Sequence, residues 1–131
     1  MKLKYAIQIN ASPYASDSSW IAYQFVQTVL TLNHQIYRIF FYQEGIYHAF
    51  RYAQPPENEF SLTEQWSALA KSHDIDLVVC ISAAQKRGLL SIEEAQRQQK
   101  VDQDLAEGFR ISGLSQWVEA ILIADRFLIF G

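Results

Sequence analysis

Short apolar runs alternate along this chain with segments in which apolar residues recur at helical spacing. The runs at residues 4–9, 35–42, 76–81 and 126–130 are rich in β-branched and aromatic residues, which predicts four strands. The run at 76–81 is the most apolar of the four, as is typical of a parallel strand covered on both faces.

Helical periodicity fills the spaces between these runs. Segments 18–33 and 114–122 each carry an apolar stripe of the kind that one face of a buried helix presents to a core. The second stripe consists of Leu114, Trp117, Val118, Ile121 and Leu122. A short helix or turn is predicted at 83–88, which ends in a glycine. The polar stretch 101–108 has no clear assignment.

Two capping patterns mark the beginnings of further helices. Ser61 with Glu64, and Ser91 with Glu94, match the capping box, in which each side chain satisfies a free backbone N–H of the first turn. Pro55-Pro56 indicates a loop before the first of these helices.

The alternation of strands and helices predicts one α/β domain over residues 1–131, a sandwich with a mostly parallel sheet. A flavodoxin-like order, with strand one between strands two and three, places the reversal of the chain between strands one and three. Ligands in such sheets bind beyond the carboxyl ends of the strands at the reversal. Residues 11–14 and 80–83 are therefore expected to meet there.

Composition limits the possible partners. The 131 residues carry a net charge of −3 and are only 19% charged, so no general field favours nucleic acid. The low charged fraction, together with the aromatic segment 40–52, predicts a surface that partner subunits cover. The start of the chain lacks a signal-peptide pattern and no run is long enough to span a membrane. We therefore expect a cytoplasmic protein.

The one cysteine, Cys80, is the strongest candidate for chemistry. It follows the most apolar strand and precedes a turn of small residues. Ser82 is expected to cap the following helix. The free N–H groups of its first turn, with Lys86 and Arg87 a turn or two later, would favour the thiolate, which is the nucleophilic form. The same site, with Ser82, Lys86 and Arg87, would stabilise an anionic persulfide. The alternatives are a buried structural cysteine and a solvated turn at Lys86 and Arg87.

Other polar residues give weaker indications. His34, His48 and His73 lie near helix ends or loops, show no metal-ligand spacing, and are expected at the polar surface. The alternative is that one of them meets Cys80 in space and serves it as a base. Ser12 and Asp17 lie in the first loop without a phosphate-binding glycine motif, so turn and helix-cap roles are expected for them.

Four blocks of the sequence resemble the DsrE-like sulfur carriers: residues 40–47, 79–88, 108–114 and 124–126. The resemblance covers nearly the whole chain and is most specific around Cys80. It implies a three-layer α/β sandwich with five parallel strands. It also implies that Cys80 accepts sulfur as a persulfide and that no metal or organic cofactor takes part.

The same resemblance implies partners and a pathway. Sulfur would come from a TusA-like donor and pass to a TusE-like acceptor, for 2-thiolation of the wobble uridine of tRNA, without direct tRNA binding by this chain. TusB-like and TusC-like chains would complete a dimer of heterotrimers. Three alternatives stay open: a carrier in sulfur oxidation, a structural subunit without chemistry of its own, and a flavodoxin-like module that binds a small ligand.

Overall fold

The computed structural model describes residues 1–55, 57, 60–100 and 104–131. Five parallel strands form one sheet: β1 (Lys4–Ile9), β2 (Gln35–Phe41), β3 (Leu77–Cys80), β4 (Phe109–Ser112) and β5 (Arg126–Phe130). The helices are α1 (Ser18–Thr31), α2 (Leu62–His73), α3 (Ile81–Lys86), α4 (Ile92–Arg97) and α5 (Leu114–Ile123), with a 3-10 helix at Gln43–Ala49.

Local sequence signals account for most of these boundaries. The hydroxyls of Ser61 and Ser91 accept hydrogen bonds from the backbone N–H groups of Glu64 and Glu94, so both predicted caps open their helices. The four predicted strands are confirmed within about two residues. Residues 101–103, which begin the unassigned stretch 101–108, lie outside the described residues. Pro56, in the predicted loop, also lies outside them.

The fifth strand, β4, was implied only by the family resemblance. Its four residues are too few for a periodic signal, and Arg110 interrupts the apolar pattern. The aromatic stretch after Gly45 forms part of the 3-10 helix and was not assigned from sequence.

The predicted strand order is wrong. The observed order is β4-β3-β2-β1-β5, so β2, and not β1, lies next to β3. The chain reverses between β1 and β5. The backbone segments after these two strands are closely packed, because the N–H of Asn10 donates to the carbonyl of Phe130 at 2.9 Å and a Cβ on Gly131 would lie 2.8 Å from the nitrogen of Ala11.

Helices cover the two faces of the sheet unequally. On one face, α1, α2 and the 3-10 helix enclose the main core, where the ring of Trp66 packs 5.8 Å from that of Phe41. On the other, α5 lies against β1 and β2, and the indole N–H of Trp117 donates to the side-chain carbonyl of Gln8. Right-handed crossovers explain this division. The connections from β1 to β4 all run in one direction along the sheet, so their helices lie on one face. The connection from β4 to β5 runs in the opposite direction, so α5 lies on the other face.

Most of the apolar side chains of α5 do not face the sheet. Within this helix only Ala120 is buried. Of the five residues of the predicted apolar stripe, Trp117 and Ile121 are half-buried and the other three form an exposed row. We call this exposed row the α5 stripe: Leu114, Val118 and Leu122. No helix in the described part of the chain has the length and hydropathy that spanning a membrane requires.

Candidate functional site

Cys80 is the last residue of β3 and the N-cap of α3, which begins at Ile81. Its side chain is buried, with 1% of its surface exposed. Ser82 was expected to cap this helix, but it is the second helical residue, and its hydroxyl oxygen lies 3.5 Å from the Cys80 sulfur. The sulfur therefore lies just beneath the surface, with a polar hydroxyl beside it.

Strand register decides which face of the sheet holds the sulfur. Phe41 of β2 pairs with Val79 of β3, so the next residues, Tyr42 and Cys80, both project toward the face that α5 covers. A depression of about 170 Å³ opens at this edge. We call it the cysteine cleft; its walls are Tyr42, Gln43, Ser82, Ala83, Lys86 and Arg87.

The two basic residues predicted near Cys80 differ in what they can offer an anion. The Arg87 guanidinium donates to the Glu44 carboxylate at 2.7 Å and to the Ala83 carbonyl at 3.1 Å. Lys86 is exposed and has no hydrogen-bond or ion-pair partner among the described residues. Both line the cysteine cleft, but only Lys86 contributes a charge that no carboxylate already neutralises.

The segments 11–14 and 80–83 do not line a common crevice. Ser12, Pro13 and Tyr14 instead line a larger depression of about 510 Å³, which we call the aromatic groove because Tyr47, Phe50 and Tyr52 also line it. Since β2 separates β1 from β3, loops that follow these strands stay apart. Glu44 lines the aromatic groove and Arg87 the cysteine cleft, so their ion pair links the two walls.

His48 corrects the expectation that the histidines lie at the surface. It is fully buried, and its Nδ1 accepts a hydrogen bond from the indole N–H of Trp66 at 3.0 Å. Its Nε2 therefore carries the proton and lies 2.9 Å from the Ser19 hydroxyl and 3.1 Å from the Ala11 carbonyl. Burial lowers the pKa of His48 from 6.5 to about 3, against a smaller opposing effect of the Ala11 carbonyl. With both nitrogens engaged, this neutral ring does not serve Cys80 as a base.

The remaining candidates have local roles. His34 accepts a hydrogen bond from the backbone N–H of Leu3, and His73 lies exposed in the last turn of α2. Asp17 occupies the N-cap of α1 without a side-chain cap bond, and the carbonyl of Ser12 accepts from the Ser19 hydroxyl. Within the described ranges, no three His, Cys, Asp or Glu residues come together as a metal site would require.

Sequence reasoning missed two residues of the cysteine cleft, Tyr42 and Gln43. Gln43 has a left-handed backbone, with φ of 50°, which is uncommon for a residue other than glycine. The neighbouring pair Glu44-Gly45 was a visible turn signal, but only the register of β2 against β3 brings this turn to Cys80. Chemically, the cleft offers donor groups beside one soft nucleophile, an arrangement suited to a sulfur anion.

Comparison with known proteins gives a consistent result. The chain matches the DsrE/DsrF-like family over residues 3–130. It is 42% identical to the protein named DsrE of Allochromatium vinosum, covering 98% of this chain and 99% of that protein. It is 41% identical to a sulfurtransferase TusD homolog of Vibrio parahaemolyticus, covering 98% of each chain. The crystal structure of the ychN protein from E. coli superposes with a TM-score of 0.78 at 20% identity, over 99% of this chain and 100% of that one, and shows the same fold.

Proposed function

Because this chain belongs to the DsrE/DsrF-like family, we propose that it is a sulfurtransferase that carries sulfane sulfur as a persulfide on Cys80. The observation that carries the proposal is the placement of the one cysteine beside the donor-lined cysteine cleft. The relative of Vibrio parahaemolyticus, 41% identical over nearly the full length, is named a sulfurtransferase, which supports the same activity here.

The transfer of sulfur from donor to acceptor involves no net oxidation or reduction. The Cys80 thiolate attacks the outer sulfur of a donor persulfide, so a new sulfur–sulfur bond forms on Cys80 while the donor's own bond breaks. The donor cysteine leaves as a thiolate and takes a proton from solvent. In the second step an acceptor thiolate attacks the terminal sulfur, and Cys80 leaves as the thiolate.

We assign the donor and acceptor to TusA-like and TusE-like proteins, with 2-thiolation of tRNA wobble uridine as the end of the relay. The TusD name of the Vibrio relative supports this pathway. The comparable identity to the DsrE protein of Allochromatium vinosum favours, as the second candidate, a carrier in sulfur oxidation. The two differ in the acceptor that removes sulfur from Cys80, so transfer to a purified TusE-like protein distinguishes them.

The α5 stripe supports membership in a larger assembly with TusB-like and TusC-like chains. Leu122 is 79% exposed and Leu114 is 53% exposed, and an apolar row on a helix otherwise packed on a sheet is typical of a subunit contact. The segment 40–52, expected as an interface, contributes less surface, because Phe40 and Phe41 are buried in the core.

Intact-mass measurement tests the proposal. The chain is incubated with a cysteine desulfurase, cysteine and a TusA-like donor, and we expect a gain of one sulfur atom that maps to Cys80 and is removed by reductant. A chain that gains no sulfur while the donor itself is loaded would contradict the carrier role. An intact complex in which only a partner chain gains sulfur would favour a structural subunit.

A further inference from the structure

Arg87 is not the donor that the cysteine cleft offers to a bound anion, since its guanidinium already donates to the Glu44 carboxylate and the Ala83 carbonyl. The other residues of the wall that carry side-chain donor groups are Tyr42, Gln43, Ser82 and Lys86. Among the described residues, the Gln43 side chain has no hydrogen-bond partner. The exposed Gln43 therefore has an amide N–H that is not engaged elsewhere, and it lines the same cleft as Ser82, whose oxygen lies 3.5 Å from the buried sulfur.

The turn that carries Gln43 is held firmly in place. The N–H of Tyr42 donates to the carbonyl of Ile9 at 3.0 Å, and the N–H of Gly45 donates to the carbonyl of Tyr42 at 2.8 Å. A Cβ on Gly45 would lie 2.0 Å from the Ile9 carbonyl oxygen, so this turn packs against the end of β1 as closely as a backbone can. The left-handed backbone of Gln43 is thus imposed by the turn and not by any bond of its own side chain.

A persulfide on Cys80 carries a second sulfur beyond the first. Because the first sulfur is buried, the terminal sulfur must project toward an opening, and the cysteine cleft begins at the neighbouring Ser82. We propose that the Gln43 amide is a persulfide-binding residue that donates its N–H to the terminal sulfur of the Cys80 persulfide. This inference rests on the proposed function and assigns a role to a residue outside the predicted set of Ser82, Lys86 and Arg87.

The test uses inorganic polysulfide to load the full-length chain, so that it does not depend on a protein donor. The Cys80 thiolate attacks the protonated terminal sulfur of the polysulfide, which becomes the outer sulfur of the persulfide. The bond between that sulfur and its neighbour breaks, and a polysulfide shorter by one sulfur atom leaves. Gln43→Met keeps the length of the side chain and removes the donor. Gln85→Met is the matched control, since Gln85 is an exposed glutamine of α3 that does not line the cleft.

The readouts are the lifetime of the persulfide toward cyanide and the alkylation rate of the unloaded thiol. We expect Gln43→Met to shorten the lifetime about tenfold, as for loss of a hydrogen bond to a charged group, while alkylation stays near the parent rate. Gln85→Met should match the parent in both. A lifetime in Gln43→Met equal to that of the parent would overturn the assignment.

Gln43→Gly separates binding from structure. Glycine relieves the left-handed backbone, so this variant should unfold at a higher temperature than the parent, yet lose the persulfide faster. If stability and lifetime rise together, Gln43 has only a structural effect. If the parent accepts sulfur from polysulfide but from no protein donor, the relay proposal fails while the comparison of Gln43 variants still stands. A parent thiol that polysulfide cannot load would overturn both.

Discussion

The guanidinium of Arg87 donates to the carboxylate of Glu44 at 2.7 Å, across a boundary between the cysteine cleft and the aromatic groove. This ion pair neutralises the positive charge nearest in sequence to Lys86, and it ties α3 to the 3-10 helix. The two basic residues that follow Cys80 are therefore not equivalent, although the sequence offers no reason to separate them.

The first prediction follows from this difference. Lys86→Gln should slow alkylation of the Cys80 thiol at neutral pH by about twofold, because an exposed charge is screened by solvent, whereas Arg87→Gln should change the rate less. The measurement is the iodoacetamide rate at low and high salt. Lys71→Gln, an exposed lysine of α2, is the control. Equal rates for Lys86→Gln and the control at low salt would show that Lys86 does not act on the sulfur.

The second prediction concerns the nucleophile. Cys80→Ser should abolish gain of sulfur and all transfer to the acceptor. Because Cys80 is 1% exposed, the buried hydroxyl should lower the free energy of unfolding by about 1–2 kcal/mol, unless Ser82 becomes its partner. Thermal or urea unfolding measures this cost, and Cys80→Ala provides a second variant without a buried polar group. Transfer activity retained by either variant would refute a covalent role for Cys80.

The third prediction concerns stability toward acid and depends on His48. The pKa of this ring is about 3 in the folded chain and 6.5 in the unfolded chain, so the unfolded state binds more protons between these values. The contribution of the neutral His48 ring to the free energy of unfolding is therefore fully present above about pH 6.5. It is lost as the pH decreases toward about 3. Between about pH 7 and pH 5 this ring should remove about 2 kcal/mol of the free energy of unfolding.

His48→Gln isolates this contribution, since its amide can still bond to Trp66 or Ser19 but does not titrate. We expect the variant to be less stable than the parent at pH 7 and to lose less stability on acidification. Urea unfolding at both pH values gives the comparison. Parallel losses in the two proteins would assign the acid sensitivity to other groups.

The fourth prediction concerns assembly through the α5 stripe. Leu122→Glu places a charge at a position that is 79% exposed in the single chain, so it should leave monomer unfolding unchanged and weaken association with partner chains. Sedimentation of the chain alone and after co-expression with TusB-like and TusC-like chains measures this. Ser115→Glu adds the same charge to an exposed position of α5 outside the stripe. Equal assembly of both variants would exclude the stripe from the interface.

The fifth prediction concerns tRNA. Four arginines lie within ion-pair distance of a carboxylate: Arg38, Arg87, Arg97 and Arg110. The whole chain has 11 lysines and arginines and 14 aspartates and glutamates. Since affinity for RNA depends on neutralising phosphates, this chain alone should show no tight tRNA binding in a filter assay at about 150 mM salt. Tight, salt-sensitive binding would instead make it a subunit that recognises the tRNA.

Local signals in the sequence were sufficient for most of the elements, although not for β4 or the 3-10 helix. The run Lys4–Ile9 forms β1 and the run Arg126–Phe130 forms β5 with the predicted boundaries, because alternation of side chains and β propensity depend on near neighbours. The caps at Ser61 and Ser91 formed for the same reason, since each hydroxyl and its N–H partner are three residues apart.

Tertiary structure alone decided which of these elements meet. The order that sets β2 beside β3 comes from pairing between residues far apart in sequence. It brings Gln43, and not the loop at 11–14, to the cleft that Ser82 lines. The burial of His48 under Trp66 and the pairing of Arg87 with Glu44 likewise join residues 18 and 43 positions apart. The sequence by itself therefore determined the fold class and indicated Cys80 as the candidate for chemistry. Ser82 and Lys86 lie close to Cys80 in sequence. The placement of Gln43 in the cleft and the engagement of Arg87 by Glu44 depend on contacts between distant segments, which no local pattern specifies.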